Sequence, residues 1–134
     1  MRKMLLLIVC ATIMAPLPSQ AQQLVESYQA YLSQQDHFNS NGQRLTSAAA
    51  IIRQDRANFH RYGIRDPGDE DDNFFGDMGN RNALESMLER GRSTSGVISQ
   101  IVYGTPLIRV EVWRGPYGPY VTVTILATRG PIGE

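Results

Sequence analysis

The sequence predicts an α+β domain, in which a helical N-terminal part packs on a small antiparallel C-terminal β-hairpin or sheet. Two patterns carry this prediction. Apolar residues recur at helical spacing through much of residues 22–103, and near the C-terminus they alternate with polar residues instead. A lone hairpin is marginal in water, so its apolar face requires cover from the helices or a further strand.

Residues 1–21 have the features of a secretory signal peptide. Arg2 and Lys3 form a positive start, and the apolar core at residues 4–14 is too short to cross a bilayer. A small residue, Ala21, ends the polar segment that follows. We therefore expect cleavage after Ala21, no membrane anchor after cleavage, and a periplasmic or secreted protein.

The remaining chain, residues 22–134, has the length of a single small domain. Without Arg2 and Lys3 it carries 11 arginines and 13 acidic residues, a net charge of −2. This balance argues against a nucleic-acid partner held by bulk charge. The chain's one cysteine, Cys10, lies in the signal peptide, so residues 22–134 contain no thiolate nucleophile or disulfide. We predict no cofactor.

Helical spacing is present in the first two segments of this domain. Residues 22–32 are predicted to form an amphipathic helix, since apolar side chains recur there every three or four positions. A second helix is predicted to start at a cap formed by Thr46 or Ser47 and to continue to about Tyr62, with Gly63 as its stop. Its apolar stripe should be buried, including Ile52 and Phe59.

Two shorter elements follow. A third helix is expected to open at Asn80 or Asn82 and to close at Gly91. Residues 94–103 fit either a helix, by their apolar spacing, or a strand, by their β-branched residues, and the spacing favours a short helix.

The C-terminal pattern indicates two half-buried strands, at residues 108–113 and 120–125, joined by a four-residue loop at 115–118. The register that this loop implies places all apolar residues on one face. It pairs Ile108 with Ile125, Val110 with Val123, and Val112 with Val121.

The same register creates a candidate binding site on the opposite face. It sets Trp113 opposite Tyr120, with Tyr117 in the loop between them. Tyrosine and tryptophan lose little rotamer entropy on binding, so this group is a candidate contact site for a glycan or an envelope protein. The alternative is an aromatic pair that only steadies the hairpin.

Catalytic chemistry would have to use His37 or His60, the two histidines of the chain. Neither has the spacing of a zinc-binding motif, and no nucleophile motif accompanies them. Catalytic groups can also come together in the fold without a sequence motif. A small envelope hydrolase that combines His60 or His37 with a carboxylate is thus kept as an alternative interpretation.

Residues 66–77 form an acidic loop with a possible calcium site. Carboxylates are the ligands that calcium prefers, but the EF-hand pattern is incomplete, since Phe74 stands at its glycine position. The alternative is a solvated loop that pairs with arginines of the second helix at the surface. The candidate calcium ligands are Asp66, Asp69, Asp71, Asp72 and Asp77.

Together these patterns favour a non-enzymatic exported protein that binds or supports another component of the cell envelope. The envelope hydrolase and a weak calcium-binding module are the two alternatives.

Overall fold

The structure, a computed structural model, describes residues 13–16 and 21–131. Most of the predicted signal peptide lies outside these residues. No helix in the described part of the chain is long and apolar enough to span a membrane. The regular elements of the described part are, in chain order, strand β1 (Gln23–Tyr31), helices α1 (Ala48–Arg61), α2 (Met78–Asn82), α3 (Leu84–Gly91) and α4 (Ser95–Tyr103), and strands β2 (Leu107–Gly115) and β3 (Gly118–Ala127).

The architecture confirms the predicted α+β class, since helices precede a C-terminal antiparallel hairpin. The sheet has three strands in the order β1-β2-β3. Its inner face packs against α1, α3 and α4 around one apolar core. The two short 3-10 helices at Gln34–His37 and Phe74–Gly76 lie in the connections before and after α1.

The first element is a strand, so the predicted amphipathic helix over residues 22–32 is wrong. The side chains of Tyr28, Ala30 and Leu32 alternate inward and are almost fully buried. A bulge between Leu24 and Glu26 interrupts this alternation, because it shifts the pairing of β1 with β2 by one residue. Because of this bulge, the apolar residues have a spacing that resembles that of a helix. The segment forms a strand because its backbone pairs with the edge of β2.

The hairpin has the predicted register. Val112 pairs with Val121, and Trp113 pairs with Tyr120. The turn is tighter than expected, since Gly115 and Gly118 are themselves paired and leave two residues at the tip. Gly118 has a φ of +106°, a backbone conformation that glycine adopts without steric cost.

Helix α1 begins and ends where the sequence predicts. The Ser47 side chain accepts a hydrogen bond from the Ala50 backbone N–H at 3.2 Å. Gly63 follows the helix with a φ of +67°. Ile52 and Phe59 are buried as predicted, at 0% and 2% exposure.

The other two predicted helices are also present. α4 settles the ambiguous segment as a helix, capped by Thr94. α3 ends at Gly91 as predicted, but it begins at Leu84, so the predicted start at Asn80 or Asn82 is wrong. Those two residues belong to the separate short helix α2, which begins earlier because the Asp77 side chain caps it. Gly91 is required for close approach, since a Cβ there would overlap the Val121 carbonyl oxygen of β3. The left-handed residue at this helix end is Arg92, with a φ of +52°.

The acidic loop covers the free edge of β1. The Glu70 backbone N–H donates to the Gln29 carbonyl, and the Glu70 side chain accepts from the Gln29 N–H at 3.1 Å. The Asp69 side chain accepts from the Tyr31 N–H at 2.9 Å. An uncovered edge strand is a template for pairing with another chain, so this loop closes one side of the sheet.

Candidate functional site

The hairpin tip and the end of α3 enclose a surface cavity of about 670 Å³. Tyr117 and Tyr120 line it from the hairpin, and Arg90 and Arg92 line it from the end of α3. Gln22 borders the same cavity just before β1. We call this the tip cavity. Its volume lies in the range of known small-molecule sites.

The three predicted aromatic residues differ in their surroundings. Trp113 and Tyr120 stack on the outer face of the sheet, with ring centroids 6.5 Å apart and planes 12° apart. The Trp113 indole N–H donates to the Thr122 hydroxyl at 3.1 Å, which fixes the ring orientation. Tyr117 is 89% exposed at the tip. The structure therefore provides one anchored aromatic pair and one tyrosine open to solvent.

Two arginines give the tip cavity its polar character. The Arg90 guanidinium donates to the Pro119 carbonyl, which ties α3 to β3. Arg92 is exposed and has no ion pair among the described residues. Glu89 also lines the cavity and offers a hydrogen-bond acceptor. The cavity thus combines aromatic surface with planar donors and a carboxylate.

The predicted calcium ligands are largely engaged in backbone hydrogen bonds. Asp69 accepts from the N–H groups of Tyr31 and Asp66, and Asp71 accepts from that of Asp72. Asp77 caps α2 by accepting from the Asn80 N–H. No group of three or more metal-ligating side chains is positioned to hold an ion in the described part of the chain. A calcium ion would therefore have to compete with the bonds that hold this loop on β1.

A buried ion-pair cluster lies between α1 and the acidic loop. The Arg56 guanidinium is fully buried and donates to Asp55 at 2.7 Å and to Asp72 at 2.9 Å. It also stacks on the rings of Tyr28 and Phe59, at 4.4 and 4.5 Å from their centroids. The expected surface pairing of α1 arginines with the loop is thus wrong for Arg56, whose pairing is internal.

The pKa is raised for two buried carboxyl groups, Asp55 of this cluster and Asp36. Burial raises the pKa of Asp36 to about 6, while a hydrogen bond from Asn58 opposes the shift. Burial also raises the pKa of Asp55 well above its ordinary value, with Arg56 acting in the opposite direction. Loss of hydration disfavours the charged form in both cases.

The two histidines have separate surroundings. The His37 ring is fully buried, with its nitrogens 2.7 and 2.8 Å from the carbonyl oxygens of Ser33 and Ile101. His60 Nε2 lies 2.7 Å from Asp72, the carboxylate that Arg56 also contacts. Neither histidine lines the tip cavity.

Sequence reasoning missed both the buried cluster and the contribution of α3 to the tip cavity. A signal for the cluster was present, because Asp55 and Arg56 fall three and four residues after Ile52, on the buried stripe of α1. The cavity depends on how α3 docks on β3, a long-range contact that local patterns do not encode.

Comparisons with known proteins add no relative: no family model, curated protein or solved structure matches this chain.

Proposed function

We propose that this chain is an exported, non-enzymatic binding protein of the cell envelope, and that its tip cavity binds a glycan. The observation that carries the proposal is the exposed Tyr117 ring, which lines the tip cavity together with Tyr120 and with the polar side chains of Arg92 and Glu89. The predicted signal peptide supports an extracytoplasmic location, where glycans of the envelope are present.

The chemistry of the cavity fits sugars because a sugar ring has an apolar face and a polar rim. An aromatic ring offers a broad contact surface to the apolar face. The guanidinium of Arg92 and the carboxylate of Glu89 offer donors and acceptors for hydroxyl or amide groups. Tyr120 lines the cavity and is already held by its stack on Trp113, so little side-chain entropy is lost at Tyr120 on binding.

The single tryptophan of the chain, Trp113, provides the assay. We expect a soluble oligosaccharide of β-1,4-linked N-acetylglucosamine to change the indole fluorescence in a saturable way, because Tyr120 lines the cavity and stacks on Trp113. Tyr117→Ala should weaken binding about tenfold, which corresponds to roughly 1.4 kcal/mol for one lost aromatic contact.

Tyr103→Ala is the matched control. Tyr103 is 72% exposed at the end of α4 and does not line the tip cavity, so its loss should leave binding unchanged. Absence of a saturable signal, or equal affinities of the Tyr117→Ala variant and the unmodified protein, would refute the glycan proposal. If an envelope protein is captured through Tyr117 while no oligosaccharide binds, the ligand class is wrong and the location of the site is right.

A further inference from the structure

A second cavity, of about 420 Å³, lies between α3, α4 and the start of α1. We call it the helical groove. Apolar side chains supply much of its lining, and the volume is sufficient for a short peptide. The apolar lining residues are Ala48, Ala49, Leu88, Ile98 and Val102.

Charged side chains of both signs border this apolar surface. Glu85 and Glu89 lie one turn apart on α3 and both line the groove. Arg92 follows at the end of the same helix. No ion pair is formed by these three side chains with any described residue. The groove therefore has an anionic side and a cationic end that the protein does not neutralise itself.

The start of α1 adds a second site of positive potential. Ala48 and Ala49 stand at its first two positions, and no described residue accepts a hydrogen bond from their N–H groups. The unpaired N–H groups at the start of a helix favour an anion. The Ser93 hydroxyl, in the wall of the groove, is also buried without a hydrogen-bond partner in the described part of the chain.

We propose that the helical groove binds a short peptide with an aliphatic side chain. Its terminal ammonium faces Glu85 and Glu89, its carboxylate faces the start of α1 and Arg92, and its side chain lies on the apolar surface. Arg92 follows Glu85 by seven positions, a rise of about 10 Å along a helix, which three extended residues span. The charges at the two ends thus match a tripeptide.

This proposal does not depend on glycan binding. Glu89 and Arg92 border both cavities, but Glu85 lines only the helical groove and Tyr117 only the tip cavity. Variants of Glu85 and Tyr117 therefore test the two sites separately.

The test is an NMR titration of the full mature protein with the tripeptide alanyl-leucyl-alanine, its N-acetyl form and its C-terminal amide. We expect saturable binding of the free tripeptide, and binding of each blocked form that is weaker by up to about fivefold, the upper end for the loss of one exposed charge pair. Glu85→Gln should reduce the difference between the free and acetylated peptides. Arg92→Gly should reduce the difference between the free and amidated peptides.

The Arg92→Gly variant is suited to this test because glycine accepts the left-handed backbone of Arg92. Arg53→Gln is the control, since Arg53 is exposed on α1 and lines a different cavity. Equal affinities of the three peptides, or no saturable binding at millimolar concentration, would overturn the proposal. So would blocked-peptide differences that persist in both variants.

Discussion

Removal of the buried guanidinium should strongly destabilise the fold. In Arg56→Met, the side chain keeps an apolar stem of similar length but leaves the buried carboxylates of Asp55 and Asp72 without their cation. Breaking a buried ion pair by removing one partner costs about 3 to 5 kcal/mol. The lost stacking on Tyr28 and Phe59 adds to this effect, so we expect a loss near the upper end of that range.

Urea unfolding at neutral pH, followed by circular dichroism, measures this loss. Arg53→Met is the matched control, because Arg53 lies one turn earlier on α1 and is exposed. Its effect should remain within about 0.5 kcal/mol. A loss below about 1 kcal/mol would refute the view that Arg56 neutralises internal charge.

Three further predictions concern pH, the end of α3 and the edge of the sheet. Because the pKa of Asp36 is raised to about 6, the folded state binds a proton that the unfolded state has released. Stability should therefore fall by on the order of 3 kcal/mol as pH rises from about 4 through 6, and Asp36→Asn should flatten this part of the pH profile of urea unfolding. Gly91→Ala should cost about 3 kcal/mol or more in the same assay, because the Cβ of the new alanine would overlap the backbone of β3. Arg92→Gly should change the free energy of unfolding by less than about 0.5 kcal/mol, because relief of the left-handed backbone offsets the added freedom of the unfolded chain. The double variant Asp69→Ala, Glu70→Ala should accelerate amide hydrogen exchange in β1 and promote self-association detectable by ultracentrifugation; unchanged exchange would show that the loop does not protect this edge.

The elements predicted correctly from sequence are those that local interactions determine. The Ser47 cap, the apolar stripe and Gly63 together define α1. The strict alternation of β2 and β3 fixes the hairpin register, since a slip of one residue would expose the whole apolar face. β1 was misassigned because its identity depends on pairing with β2, some eighty residues away, and because the bulge after Leu24 breaks its alternation.

In the candidate sites, too, the features set by local patterns were predictable and those set by long-range contacts were not. The register alone predicts the pairing of Trp113 and Tyr120, and the structure confirms that pairing. The approach of Arg92 to the hairpin tip is a tertiary contact that no local pattern encodes. The environment of Arg56 was misjudged for a related reason, since a charged residue on an apolar stripe remains ambiguous until its partner, here Asp72 of a distant loop, is located.

In this protein, the charged side chains that bond the backbone can be distinguished from those that line the candidate binding cavities. In the acidic loop, Asp69 and Glu70 bond the backbone of β1, so their charge is used for folding. At the two ends of α3, by contrast, Glu85 and Arg92 line cavities and form no ion pair with described residues, although both are exposed. Because Arg92→Gly should change stability little, stability does not select arginine over glycine at this left-handed position. The unpaired charges on α3 are therefore the reason to seek ligands around this helix. The acidic loop, whose carboxylates bond the backbone of β1, has a structural role instead.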